Sequence, residues 1–500
     1  MTTTAPDPTT NATPAPSGRS GRHWITDWRP EDAEFWENGG RRVARRNLVW
    51  SIFAEHLGFS VWLIWSVSSA FLVAQGFAFD AQQLFLLVAL PNLVGSLLRL
   101  PYTFAVPRFG GRNWTMVSAA LLLVPTLLFA HVVQQPGTPY WVFCVIAATA
   151  GFGGGNFASS MANINFFYPA AQKGAALGLN AAGGNLGVSL VQLLLPVVVG
   201  GAGIFGLVRA RESGIDLQYA AYAYAALAVV AVVAAALRMD NLSSAVSSPR
   251  EQLRVVRNRQ TWVMSLLYVG TFGSFIGYSA AMPLLIKINF WVPDPAPLGT
   301  GVFFAYYAFL GAGVGSLTRP LGGWLADRFG GARVTLAAFG GMVVFTLLVL
   351  WTLTRLTPNP SADPAVALDN RSWFPWFLAF FLCVFASSGI GNGSTYKMIP
   401  AIFRTEAERA TTPHTEERAA AVHEATRQSS AAIGIIGAVG AIGGFLIPLA
   451  FAAPWVEDPL AATRGAFVVF TCFYLVCAAV TYAVYLRRSS AATSLASAGI

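Results

Sequence analysis

Two arginines stand in otherwise apolar stretches of this 500-residue chain, each nine positions before a copy of one short sequence. Arg99 precedes Arg108-Phe109-Gly110-Gly111, and Arg319 precedes Arg328-Phe329-Gly330-Gly331. If each stretch is a helix and the repeated sequence is a turn at a membrane surface, nine residues at about 1.5 Å each bury the guanidinium groups roughly 13 Å deep. That is close to the middle of a hydrocarbon core about 30 Å thick. An ion at that depth is costly unless it faces a cavity or a partner, and arginine cannot discard its charge by losing a proton. Few acidic residues fall at the same depth, so a structural ion pair is the weaker reading. A small anion is the ligand that two such groups predict.

Other chemically capable residues are sparse. Glu55 and His56 are adjacent titratable groups in the first apolar stretch, and Lys397, one of three lysines with Lys173 and Lys287, lies in the tenth. One reading is that these three couple anion movement to protonation. The other is that Lys397 extends toward cytoplasmic water and Glu55 and His56 form an interfacial pair. Cys144, Cys383, Cys472 and Cys477 fall in apolar stretches without CxxC or metal-ligand spacing, which favours packing over disulfide or zinc chemistry. No nucleophile-base pair or metal cluster is laid out in a common pocket, so no enzyme, cofactor or metal is expected.

The elements that must position these residues follow from composition. Hydrophobic residues make up 55% of the chain and charged residues 11%, with a mean hydropathy of +0.55, which describes an all-α membrane protein. Apolar stretches long enough to span begin near Asn47, Gln82, Trp114, Tyr140, Gly174 and Leu217, and again near Thr261, Thr300, Ala332, Trp373, Thr426 and Ala462. They make six plus six. With the amino terminus inside, roughly 23 of the 32 Lys and Arg lie on the cytoplasmic side and about 6 outside, so both termini are expected in the cytoplasm. The net charge of +9 then reflects topology, with Arg41, Arg42, Arg45 and Arg46 marking the lipid headgroups, and no nucleic acid partner is needed.

The expected organisation is a cytoplasmic tail over residues 1–46, a first bundle over 47–237, a cytoplasmic linker over 238–260, a second bundle over 261–486 and a tail over 487–500. Residues 1–23 are rich in Thr, Pro, Ala and Ser, which predicts disorder and not a signal peptide. The halves are copies. Gly95-Ser96-Leu97-Leu98-Arg99 aligns with Gly315-Ser316-Leu317-Thr318-Arg319 at an offset of 220 that continues to Phe109 and Phe329, implying a pseudo-symmetric pathway between the bundles. Glycine-dense runs also recur, at 151–155 and 389–393 and again at 174–184 and 434–444. A dinucleotide-binding reading of Gly151-Phe152-Gly153-Gly154-Gly155-Asn156 fails because no strand precedes it, and close helix packing explains most of these glycines.

Gly322-Gly323-Trp324-Leu325-Ala326-Asp327-Arg328-Phe329-Gly330-Gly331-Ala332-Arg333 resembles the loop motif between the second and third helices of each half in the major facilitator superfamily. The glycine runs, Asn156-Phe157-Ala158-Ser159-Ser160-Met161 and the paired arginines resemble the nitrate/nitrite porters of that superfamily, the NarK type. The resemblance implies twelve transmembrane helices in two pseudo-symmetric six-helix bundles, moving nitrate, nitrite or both across the cytoplasmic membrane as a monomer. It further implies that Arg99 and Arg319 bind the anion, that Phe157 and Phe272 sandwich it, and that Tyr268, Asn180 and Asn185 line its path. Asp327 and Arg328 are implied as a conformational latch, asymmetric because Pro107 replaces the acid in the first half. Taken alone, Phe157 and Phe272 are two of 36 phenylalanines and read as packing residues. Coupling stays open: permanent arginines imply nitrate/nitrite antiport, whereas Glu55, His56 and Lys397 imply proton symport. Two other functions remain, a porter for another small oxyanion or organic acid and a non-transporting nitrate sensor.

Overall fold

The structure, a computed structural model, describes residues 21, 23–200, 207–208, 214–245, 254–292, 300–359, 362–412, 415–453, 456 and 458–487. Eleven helices are long and apolar enough to span a bilayer: α1 (Ala33–Leu72), α2 (Ala81–Phe109), α3 (Gly111–Val132), α4 (Tyr140–Phe167), α5 (Ala170–Val198), α6 (Gln218–Arg238), α7 (Arg259–Phe290), α9 (Gly331–Leu353), α10 (Phe374–Ala410), α11 (Glu416–Ala452) and α12 (Pro459–Leu486). Between α7 and α9 runs α8 (Ala308–Phe329), in the place of the twelfth span. Its glycines, Arg319 and Asp327-Arg328 lower its hydropathy. Burial sorts the helices in the same way: the apolar core of α7 is 94% buried, against 39% for α6 and 33% for α12, which present Val229, Val233, Val469 and Val476 to lipid.

The helices form two bundles of like construction. In the first, α2 packs on α4 and α1 on α4 and α5; in the second, α8 packs on α10 and α9 on α10 and α12. The bundles meet along α2 with α11, α5 with α8, and the end of α1 with α7. Glycine sets the approach within each bundle. A Cβ on Gly153 of α4 would collide with the Gly58 carbonyl of α1, and one on Gly393 of α10 with the Arg319 carbonyl of α8. The repeated turn also has one geometry, since Gly110 (φ 88°) and Gly330 (φ 89°) both take the positive φ that lets α2 and α8 stop and α3 and α9 start one residue later.

Residues 24–46, assigned above to a tail, fold onto the first bundle. Strand β1 (Trp24–Ile25) pairs in parallel with β2 (Asn241–Leu242), and Arg46 Nη2 and Asn47 Nδ2 donate to Asp240 at 2.6 and 2.9 Å. Trp28 packs edge-on against Phe167 and Trp36 against Tyr168. Burying these indoles ties the segment, and the start of the linker, to one bundle. Residues 1–20, linker residues 246–253 and the tail from 488 lie outside the described residues.

Candidate functional site

Arg99 is fully buried on α2. Its Nε donates to Gly154 O of α4 at 3.2 Å and its Nη1 to Gly437 O of α11 at 2.9 Å, so one guanidinium joins a glycine-rich helix of each bundle. Three rings surround it: its Cζ lies 4.7 Å from the centroid of Phe157, 4.8 Å from Phe272 and 5.4 Å from Trp62. Arg319, on α8, lies 5.8 Å from the Phe157 ring and 5.5 Å from Tyr396. Among the described buried donors beside this pair, Arg99 Nη2, Arg319 Nη1 and the Tyr268 hydroxyl make no hydrogen bond of ordinary geometry, although the Tyr268 hydroxyl lies within reach of Arg319. Two of them belong to permanent cations, and leaving such donors unpaired is among the more expensive arrangements a protein interior holds.

Phe157 and Phe272 stack across the bundle interface with centroids 6.2 Å apart and planes 24° from parallel, and Tyr268 stacks behind Phe272 at 5.3 Å. The two near-parallel rings form an aromatic slot beside the Arg99 guanidinium, a shape that suits a planar ion better than a tetrahedral one. Arg99, Phe157 and Tyr396 line the inner part of a cavity of about 1080 Å³ that is open to solvent, with Glu424 and Arg427 lining it toward its mouth, while Arg319 and Phe272 lie behind these residues and outside the lining. The mouth opens on the face that carries the two Arg-Phe-Gly-Gly turns. On the opposite face the bundles are shut by Phe71 against Phe304 at 4.9 Å, Ser189 Oγ to Phe309 O at 2.9 Å and Gln192 Nε2 to Ser279 O at 2.6 Å.

A family model for the Major Facilitator Superfamily matches residues 56–413. The chain belongs to the Major Facilitator Superfamily. Within it the chain belongs to the NarK-type branch: it is 41% identical over 475 residues to the nitrate/nitrite transporter NarU of Escherichia coli (strain K12), covering 94% of this chain and 98% of that one. It is 36% identical over 436 residues to the probable nitrate/nitrite antiporter NarK2 of Thermus thermophilus, covering 85% and 88%. The crystal structure of a D-xylose-proton symporter shares the fold with a TM-score of 0.57 at 14% identity, over 87% of this chain and 96% of that one.

The remaining candidate residues of this facilitator chain divide by their surroundings. Glu55 is fully buried; its Oε2 accepts from Asn180 Nδ2 at 2.6 Å, its Oε1 has no partner, and Arg319 and Arg99 are within electrostatic reach. Asn180 Nδ2 also reaches Ser160 Oγ at 2.6 Å, and Ser160 reaches Ser51 at 2.8 Å, so Asn180 anchors a carboxyl network instead of facing the cavity. Asn185 is buried with its Oδ1 unpartnered. His56 turns away, its Nδ1 3.0 Å from Gly183 O, and Glu55 and His56 do not pair with each other.

Lys397 does not reach the arginines. Its Nζ lies 2.8 Å from Asp327 Oδ2, with both side chains about half exposed near the turn face. Asp327 thus pairs with Lys397, while Arg328 lies over the rings of Trp324 and Phe329. Trp62, Tyr396 and the Gly154 and Gly437 carbonyls were not singled out from sequence. Only Tyr396 carried a signal, since the repeat that aligns Lys397 with Ser159 sets Tyr396 beside the position of Phe157. Among the described residues no group of His, Cys, Asp and Glu could hold a metal ion.

Proposed function

We propose that this chain carries nitrate and nitrite across the cytoplasmic membrane by alternating access, with the bundles 47–237 and 261–486 rocking about the arginine pair. The observation that carries the reading is the pair of unpartnered buried guanidinium donors, Arg99 Nη2 and Arg319 Nη1, beside the near-parallel Phe157 and Phe272 rings. Planar forks suit the oxygens of a flat oxyanion, and the rings favour flat ions over tetrahedral ones. With both termini in the cytoplasm, the turn face is cytoplasmic and the cavity faces inward. The porter works as a monomer, with each bundle contributing one arginine and one ring.

Glu55 favours the proton-coupled mode over pure exchange. The neutral and ionised forms of Glu55 differ by one unit in the charge set against the two guanidinium groups, so proton uptake on this carboxyl alters how strongly they hold a monovalent anion. Exchange needs no such group. Nitrate uptake into proteoliposomes tests both points. Uptake into empty vesicles under an inward proton gradient is the expected result; uptake only into nitrite-loaded vesicles would assign antiport and leave Glu55 and His56 structural. Formate or a carboxylate competing as well as nitrite would favour the organic-acid rival, and saturable binding without flux would favour the sensor.

A further inference from the structure

Lys287 is a cation with no part in the site described above. It sits near the far end of α7, away from the turn face, and is mostly buried in the seam between the bundles. Its Nζ donates to Ala70 O at 2.7 Å, near the last turn of α1 in the opposite bundle, and lies 5.8 Å from the Trp291 ring. The described residues bring no carboxylate to it. An ammonium carries three donors and here uses one on a carbonyl. The α1 segment Ile64–Leu72 ends in a short 3-10 turn and a left-handed Gly76, so its last carbonyls present partial negative charge to the lysine.

The position of Lys287 along α7 gives this contact a second meaning. Phe272, Ile276, Ser279, Pro283 and Lys287 follow at helical spacing and form one stripe. The stripe faces the first bundle at both ends: Phe272 stacks on Phe157, Ser279 O accepts from Gln192 of α5, and Lys287 reaches α1. Lys287 thus lies about 22 Å along the same face from the aromatic slot, at 1.5 Å for each of the intervening residues. When the bundles part on this side, the bond to Ala70 has to break. The ammonium is then left on the wall of the opened vestibule, in line with the slot.

We propose that Lys287 is the outer loading residue of the pathway: it receives small monovalent oxyanions at the external face when the outer gate opens, and recloses that gate by returning to the α1 carbonyl when the anion moves inward. This rests on the alternating-access reading above and adds a second, transient anion site to it. A cation at a narrow mouth raises local anion concentration and association rate, and its effect fades with salt.

The test compares nitrate entering from each side, in intact cells for the outer face and in everted membrane vesicles for the inner face. Lys287→Gln should raise the external KM by about 10-fold at low ionic strength and flatten its salt dependence, with the internal KM within about twofold of wild type. Lys287→Arg should behave as wild type. Should the Gln variant fail to accumulate, Lys287→Met, which keeps an apolar stem against Trp291, carries the same expectation. An unchanged external KM, a fall in it as the gate drifts open, or an equal rise on both faces would each overturn the loading role. Absence of nitrate flux in the wild type would instead overturn the transport reading on which it rests.

Discussion

Replacing Arg99 with lysine keeps the charge and removes the fork. In the wild type the guanidinium spends Nε on Gly154 O and Nη1 on Gly437 O and leaves Nη2 unpartnered, the donor the proposed function gives to the anion. A lysine ammonium on a flexible stem cannot hold both carbonyls and an anion in one plane. Losing one charge-assisted contact to the anion costs about 1.5–3 kcal/mol, which at 1.4 kcal/mol per factor of ten weakens apparent nitrate affinity by about 10- to 150-fold. The two abandoned carbonyls add a stability cost of about 1–3 kcal/mol for each left unsatisfied, so the variant should also melt earlier. The assay is initial uptake of isotopically labelled nitrate into proteoliposomes, normalised to inserted protein, with calorimetric binding on the same preparation to separate lost affinity from lost fold. Uptake at subsaturating nitrate should fall to a few per cent of wild type. Wild-type KM and rate in Arg99→Lys would refute the assignment of the unpartnered donor to the anion.

Three other substitutions probe separate parts of the reasoning. Glu55→Gln keeps the size of the side chain and an oxygen for Asn180, so it should abolish proton-driven uptake into empty vesicles while sparing exchange against internal nitrite; unchanged proton-driven uptake would remove Glu55 from coupling. Phe272→Leu removes one wall of the slot and should weaken nitrate binding while narrowing its preference over tetrahedral oxyanions, measured as competition by perchlorate; unaltered selectivity would return the ring to packing. Lys397→Gln breaks a solvent-exposed ion pair of the kind worth at most about 1 kcal/mol, so the pH profile of uptake should not move, and a flattened profile would reinstate Lys397 as a coupling group.

Several of these expectations were legible in the chain because a charge in an apolar helix is conspicuous. Arg99 and Arg319 stand out from sequence alone, and the repeat that carries them fixes two bundles and two matching turns. The same reasoning left two readings open for Lys397 because span membership is not depth. Helix α10 has 37 residues, which at 1.5 Å each is about 55 Å, well beyond a hydrocarbon core of about 30 Å. A lysine within its apolar register therefore reaches water. Residues 24–46 were read as tail because their polar composition hides Trp28 and Trp36, whose burial is decided by partners more than a hundred positions away. The orphaned donors of Arg99 and Arg319 had no sequence signal, since the carbonyls of Gly154 and Gly437 that consume the other donors of Arg99 are backbone atoms.

The pseudo-symmetry of the two halves is broken at the arginines themselves. Arg99 is held by carbonyls from both bundles and by three rings, whereas Arg319 is held chiefly by the faces of Phe157 and Tyr396. The bond from Arg99 to Gly437 crosses the bundle seam, so any motion that separates α2 from α11 frees a second donor on a guanidinium already aimed at the slot. On the alternating-access reading, an anion that accepts from that donor offsets the lost carbonyl and so lowers the barrier to reorientation. An empty site has no such compensation unless a mobile charge supplies it. On the coupling proposed above, Glu55, buried within electrostatic reach of both arginines, supplies that charge.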